Sequence, residues 1–146
     1  MTHSAAGAAF TTLVLEVFKL NGALLHAGDA LTRPTGQSSA RWQVMGCIDE
    51  TPLSVAQIAR VMGLARQSVQ RVANLLVAEE LAEFTDNPIH KRAKLLRLTK
   101  TGLATLERIE TAQRQWATDL GERLGSKKLE QVHGALARVL KVLESA

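Results

Sequence analysis

The sequence is poor in cysteine and in aromatic residues: it contains one cysteine, Cys47, no tyrosine, and 3% aromatic residues in all. A single cysteine excludes an internal disulfide and a metal site built from several cysteines, and it fits a reducing cytoplasm. The first ten residues contain no lysine or arginine, so no secretory signal is predicted. No uninterrupted apolar run approaches the roughly 18 residues that a membrane span needs, and we therefore expect no membrane partner.

Catalytic and metal-binding patterns are also lacking. The sequence contains no Ser-His-Asp order, no glycine-rich phosphate loop and no paired-carboxylate motif, so we predict that the protein is not an enzyme and uses no cofactor. Its four histidines are scattered; Glu130 and His133 lie one helical turn apart, but two ligands do not make a zinc site. Cys47 lies among apolar neighbours, which favours a buried, inert thiol over a redox sensor.

Positive charge is concentrated in the middle third of the chain. The net charge is +4, from 18 basic and 14 acidic residues. Residues 54–102 contain eight basic and four acidic residues, whereas residues 1–53 contain three and four, and residues 103–146 contain seven and six. Such a concentration favours an anionic partner, with nucleic acid the usual candidate. On charge alone, a solvated charged surface is an equally good interpretation.

Amphipathic helices are predicted near both ends of the chain, because apolar residues recur there at spacings of three and four. The first helix ends near the break RPTG at residues 33–36, and a shorter helix is predicted from Ser38 to Ile48. Two further helices are predicted within residues 103–146. Helices with such long apolar stripes pack either on the middle of the chain or on a second copy of it.

The middle of the chain predicts two short helices joined by a tight turn. Ser54 and Gln57 have the spacing of a capping box, and Gly63 supplies the left-handed conformation that ends a helix. The second helix buries an apolar face and presents amide and guanidinium groups on the other side, namely on Gln67, Gln70, Arg71 and Asn74. These groups pair with adenine and guanine edges in the major groove, so the pattern is typical of a helix-turn-helix. The alternative is a helical hairpin with a polar outer side.

A β-hairpin is predicted after these helices. The segments LAEFTD and AKLLRLT have strand character, and Asn87-Pro88 begins the turn between them. The turn exposes His90, Lys91 and Arg92 near its tip. A basic hairpin beside a recognition helix is a wing, whose side chains suit the narrow minor groove. The alternative is an ordinary surface hairpin.

In this order of motifs the sequence resembles the MarR family of bacterial transcriptional regulators. The resemblance runs from Ser38 to Gly102, through SARWQVMGCID, LSVAQIARVMGLARQSVQRVANLLVAEELAEF and NPIHKRAKLLRLTKTG. It implies a mainly α fold with a small β-hairpin wing, in a single domain over residues 1–146. The winged helix-turn-helix part would cover residues 38–102, and dimerisation helices would cover 8–33 and 103–146. It also implies a cytoplasmic homodimer that binds a pseudopalindromic operator in double-stranded DNA and represses a gene until a small, often aromatic, ligand releases it.

The expected contacts follow from this resemblance together with the exposed face of the second helix. Gln67, Gln70 and Arg71 would read bases, and Arg66, Ser68 and Asn74 would hold phosphates or neighbouring bases. Arg92 would enter the minor groove, helped by Lys91. The effector would lie between the dimer helices and the winged part, which makes His26, Arg41 and Trp42 candidates to line its site.

Three positions depart from the family's pattern. The wing commonly has an acidic residue before two arginines, where this chain has His90, so the partner of Arg92 is missing unless Asp86 substitutes. Glu80 stands where glycine usually ends the recognition helix, and Ala65 leaves that helix without a side-chain cap. An alternative function is therefore a winged-helix protein-interaction module that has lost specific DNA reading.

Overall fold

The computed structural model describes residues 2–146, and its architecture is mainly helical with one small sheet, as predicted. The elements in chain order are α1 Ala5–Thr32, a 3-10 helix Arg33–Thr35, α2 Ser39–Cys47, β1 Leu53–Ser54, α3 Val55–Met62, α4 Arg66–Ala78, β2 Ala82–Thr85, β3 Leu95–Leu98, α5 Lys100–Leu124 and α6 Ser126–Glu144. The chain forms two compact units, divided between Ile109 and Glu110. The second unit contains the end of α5 and all of α6.

The break between the first two helices has local causes. Pro34 lies in the 3-10 helix, and Gly36 has a φ of 75°, in the left-handed region that glycine enters without strain. The Ser38 hydroxyl then accepts a hydrogen bond from the Arg41 N–H, at 3.3 Å, and begins α2. The predicted end of the first helix and the predicted start of the second are both confirmed.

The helix-turn-helix of α3 and α4 forms as the sequence predicts. The Ser54 hydroxyl accepts from the Gln57 N–H at 3.2 Å, while the Gln57 side chain accepts from the Ser54 N–H at 2.9 Å. This capping box starts α3, and Gly63 ends it with a φ of 65°. α4 has no side-chain hydrogen bond at its N-cap, Ala65. The turn is therefore fixed from its α3 side.

A buried apolar core holds the two helices against the sheet. Its fully buried side chains come from α2 through the first half of α5, and the largest are Met45, Ile48, Ile58, Leu76, Leu96 and Leu106. The sheet has three strands in the order β1-β3-β2, all antiparallel, and Leu53 of β1 pairs with Leu96 of β3. The predicted hairpin is thus β2 and β3, and β1 extends its sheet.

Helix α1 corrects one expectation. The sequence contains no long uninterrupted apolar run, but an 18-residue window within Ala5–Thr35 has a mean hydropathy of 1.4, so by length and composition this helix could cross a membrane. The expectation counted uninterrupted apolar residues, and Glu16 and Lys19 interrupt the run without lowering its average enough. Length and composition alone do not distinguish a span from a helix whose apolar sides pack on another protein chain.

The end of α4 carries backbone strain at Glu80. This residue has a φ of 60°, the left-handed conformation that glycine supplies more cheaply. It is held there because the Leu81 N–H donates to the Leu76 carbonyl, at 2.9 Å, and the Thr99 hydroxyl donates to the Glu80 carbonyl, at 2.7 Å. These bonds turn the chain from α4 into β2.

Glu80→Gly is therefore expected to raise the free energy of unfolding by about 0.5–1 kcal/mol, because the strain exceeds the extra entropy of glycine in the unfolded chain. Chemical denaturation of the purified protein measures this difference. Glu80→Ala is the matched control, since it removes the carboxylate and keeps the Cβ atom. Equal stabilisation by both variants would mean that charge, and not the backbone, limits stability here.

Candidate nucleic-acid interface

Helix α4 presents all six of its predicted contact residues on its exposed side. Arg66, Gln67, Ser68, Gln70, Arg71 and Asn74 are exposed, whereas Val69, Ala73 and Leu76 are buried in the core. Their exposure follows from the 3.6-residue period of the helix, which separates the two sets. The contacts themselves stay a prediction.

Two of these residues are coupled to each other. The Gln70 Nε2 group donates a hydrogen bond to Asn74 Oδ1, with 2.9 Å between the atoms. Gln70 keeps its Oε1 atom and a second N–H, which is the pair of groups that adenine binds through N6 and N7. Asn74 therefore holds the Gln70 amide in place. The i,i+4 spacing was the sequence signal for this bond.

An apolar residue, Leu75, completes the exposed surface of α4. Together with the amides and the guanidinium it lines a shallow hollow of about 440 Å³, and 43% of Leu75 is exposed. Apolar contact is how proteins recognise the methyl group of thymine. Leu75 was not among the predicted contact residues, all of which are polar or charged.

The wing consists of β2, β3 and the loop of residues 86–94 between them. Ala82 pairs with Leu98 and Thr85 with Leu95, so the strands are in register up to the loop. The loop is organised by the Asn87 side chain, whose Nδ2 donates to the Ala93 carbonyl at 2.9 Å. The predicted turn at Asn87 is thus reinforced by its side-chain amide, which ties the two sides of the loop together.

The wing and the recognition helix meet in one groove. Gln70 of α4 lines it together with Arg92 and Lys94 of the loop and with the start of α3, and its volume is about 310 Å³. Lys91 is exposed on the same loop but does not line this groove. Lys94 was not among the predicted contact residues, although it lies two residues after Arg92.

The charges of this surface are available to a partner. Within the described residues 2–146, no ion pair joins Arg71 or Arg92 to a carboxylate, and Asp86 does not replace the missing acidic partner of Arg92. Arg97 differs, because its Nε lies 2.9 Å from Glu83 Oε1. Unpaired guanidinium groups on an exposed surface favour an anionic partner.

The candidate effector residues lie apart from this groove, on α1 and α2. His26 is exposed, and Trp42 is half-buried against the core. Arg41 is engaged: its NH1 atom lies 2.6 Å from Glu79 Oε2, so it connects α2 to the C-cap of the recognition helix. This ion pair links one of the three candidate residues directly to α4.

Neither a metal centre nor an activated thiol stands out among residues 2–146. No three histidine, cysteine, aspartate or glutamate side chains lie close enough together there to hold a metal ion. Cys47 is partly buried, and this desolvation raises the pKa of its thiol above the ordinary value. A raised pKa disfavours the thiolate, which is the reactive form.

Comparisons with known proteins agree with this geometry. A family model described as MarR family matches residues 35–93, from the last residue of the 3-10 helix into the wing loop. The uncharacterized protein Rv2011c of Mycobacterium tuberculosis is 35% identical over 133 residues, which are 91% of this chain and 93% of that protein.

Solved structures share the fold at lower identity. A mutant of MarR from E. coli complexed with operator DNA has a TM-score of 0.81 at 19% identity, over 94% of this chain and 99% of that one. CouR from Rhodococcus jostii RHA1, bound to p-coumaroyl-CoA, has a TM-score of 0.77 at 19% identity, over 87% and 90%. The matched family model, the winged helix-turn-helix and the exposed amide and guanidinium face of α4 identify residues 35–93 as a MarR-family segment, and the chain has the fold of MarR-family transcription regulators.

Proposed function

We propose that this protein is a sequence-specific, homodimeric DNA-binding repressor that a small ligand releases from its operator. The observation that carries the proposal is the groove in which Gln70 of the recognition helix faces Arg92 and Lys94 of the wing. One duplex then places its major groove at α4 and its adjacent minor groove at the wing. Such a regulator of chromosomal DNA acts in the cytoplasm.

The contacts divide into base reading and positioning. Arg71 suits guanine, through bidentate bonds to O6 and N7, and Gln70 suits adenine. Arg66 and Ser68 lie in the first turn of α4, where unpaired backbone N–H groups favour a phosphate, and Gln67 reads a neighbouring base. Arg92 enters the minor groove, while Lys91 binds the phosphate backbone.

Exposed apolar helices support the homodimer. On α1, Phe18 is 68% exposed and Leu24 is 49% exposed, and in the second unit Val142 of α6 is 61% exposed. Large apolar side chains left this exposed on several helices favour a protein–protein interface in a soluble protein. The two recognition helices of the dimer would then lie about 34 Å apart, one turn of DNA, to reach successive major grooves.

The Arg41–Glu79 ion pair offers a route for release. An effector that carries an anionic group and an aromatic ring would bind Arg41 and pack on Trp42, with His26 at the margin. It would compete with Glu79, which caps the recognition helix, and so bias the orientation of α4. Release requires that the ligand bind the DNA-incompetent form more tightly, because equal affinity for both forms shifts nothing.

Fluorescence anisotropy tests the proposal. The purified protein is titrated against labelled DNA from upstream of its own gene, and against fragments selected from a random pool, over a series of salt concentrations. Scrambled DNA of equal length is the control. The expected result is binding at least about a thousandfold tighter than to the control. Equal affinity for specific and scrambled DNA that is lost at high salt would mean that the protein only has a basic surface. No binding to either DNA at low salt would favour a protein-interaction module.

A further inference from the structure

The wing loop carries an apolar residue where only polar residues are expected. Ile89 is 81% exposed, more than any other large apolar residue among residues 2–146. It borders a groove between the loop and α3, yet that groove does not bury it. An isoleucine exposed to this degree at a loop tip leaves its side chain in water, at a free-energy cost that a binding partner would remove.

The loop holds Ile89 rigidly. Pro88 fixes the backbone angle just before it, and the Asn87 Oδ1 atom accepts from the Ile89 N–H at 3.1 Å and from the His90 N–H at 3.4 Å. On the other side of the tip, the Ala93 N–H donates to the His90 carbonyl at 3.1 Å. The side chain is therefore presented from a preorganised turn, which lowers the entropy lost when a partner binds.

The charge around Ile89 identifies the kind of partner. Lys91, Arg92 and Lys94 follow it within five residues, and Asp86 is the only acidic residue of the loop. An apolar tip surrounded by cations suits a polyanion that also has apolar surface. Duplex DNA has both, because sugar rings and base edges line its minor groove between two rows of phosphates.

We propose that Ile89 is an apolar wedge that enters the minor groove beside Arg92 and partly unstacks a base step there. This inference rests on the proposed function, and it adds which feature of the DNA the wing recognises. Unstacking costs least at flexible pyrimidine–purine steps, TA and CA/TG, so the operator carries such a step under each wing and bends on binding. This recognition compensates for the missing acidic partner of Arg92, since packing, and not an ion pair, sets the depth of the wing.

The experiment compares Ile89→Ser with the wild-type protein on an operator selected from a random DNA pool. Val61→Ser is the matched control, because Val61 is also β-branched and is 71% exposed on α3 of the same unit. Affinity is measured over a salt series, and 2-aminopurine placed at the step under the wing reports unstacking. Ile89→Leu tests whether apolar volume alone suffices.

The expected result is that Ile89→Ser binds about tenfold more weakly, with an unchanged salt slope and no rise in 2-aminopurine fluorescence. The Leu variant should keep most of the affinity and the fluorescence rise, and Val61→Ser should match the wild type. If the wild type binds its operator specifically and the Ile89→Ser variant matches it in affinity and in fluorescence rise, the wedge is wrong but the proposed function stands. If the wild type binds operator and scrambled DNA with equal affinity, both the proposed function and the wedge are wrong.

Discussion

Gly102→Ala is expected to destabilise the fold by about 3 kcal/mol or more, and to lower the melting temperature by roughly 10 °C in a chain of this size. Gly102 lies in the first turn of α5, against the point where the chain leaves α4 for β2. A Cβ atom built there lies 2.9 Å from the carbonyl carbon of Leu81 and closer still to its oxygen. The obstacle is backbone, and no side-chain rotation relieves it.

The neighbouring hydrogen bonds make this clash costly. The Leu81 carbonyl accepts from the Thr99 N–H at 3.1 Å, and the Thr99 hydroxyl accepts from the Gly102 N–H at 3.0 Å. Separating α5 from Leu81 would strain these bonds and shift β2, which is one strand of the wing. Affinity for DNA should therefore fall along with stability.

Gly46→Ala is the matched control for Gly102→Ala. Gly46 lies in α2, and apart from its chain neighbours and the nearby backbone of that helix, a Cβ atom there meets no heavy atom within 4 Å. Alanine favours a helix over glycine by up to about 1 kcal/mol, so this variant should be slightly stabilised. Thermal and denaturant unfolding of both variants measure the contrast. If the Gly102→Ala protein is as stable as the wild type, α5 can move away from the Leu81 backbone without loss of stability.

Local signals predicted the parts of the fold that depend on local chemistry. Ser54, Gln57 and Gly63 set the limits of α3 through hydrogen bonds within a few residues, and their spacing is visible in the sequence. Strand β1 escaped prediction because two residues have no readable period, and Leu53 is a strand only through its pairing with Leu96. The sequence shows that Glu80 stands where glycine usually ends the helix, but only the structure shows that Glu80 adopts the left-handed backbone angle there.

In the candidate site, too, features that depend on local spacing could be predicted and features that depend on tertiary packing could not. The helical period separated the exposed face of α4 from its buried face, because only the turn angle of the helix is needed. The groove that joins Gln70 to Arg92 and Lys94 depends on how the wing folds over α3, which no spacing in the sequence expresses. The Arg41–Glu79 pair spans 38 positions and was equally out of reach. Its partners meet only after α2 packs on α4.

Arg71→Ala is expected to weaken binding to the selected operator by about 1–3 kcal/mol, which is roughly a 5- to 150-fold rise in Kd. Arg71 is exposed in the middle of α4, next to the paired amides of Gln70 and Asn74, and no ion pair within residues 2–146 occupies its guanidinium. A bidentate bond to guanine loses both hydrogen bonds when the side chain is removed. Binding to scrambled DNA should fall much less, so the specificity ratio should narrow.

Two other variants separate base reading from charge. Lys91→Ala should weaken binding to all sequences alike and reduce the salt slope by about one, because a phosphate contact carries no sequence information. Arg97→Ala removes an equal charge from a residue that is already paired with Glu83, and it should leave the specificity ratio unchanged. Anisotropy titrations of the three variants on operator and scrambled DNA decide the matter. If Arg71→Ala lowers both affinities by the same factor, Arg71 binds phosphate, and base reading falls to the amides of α4.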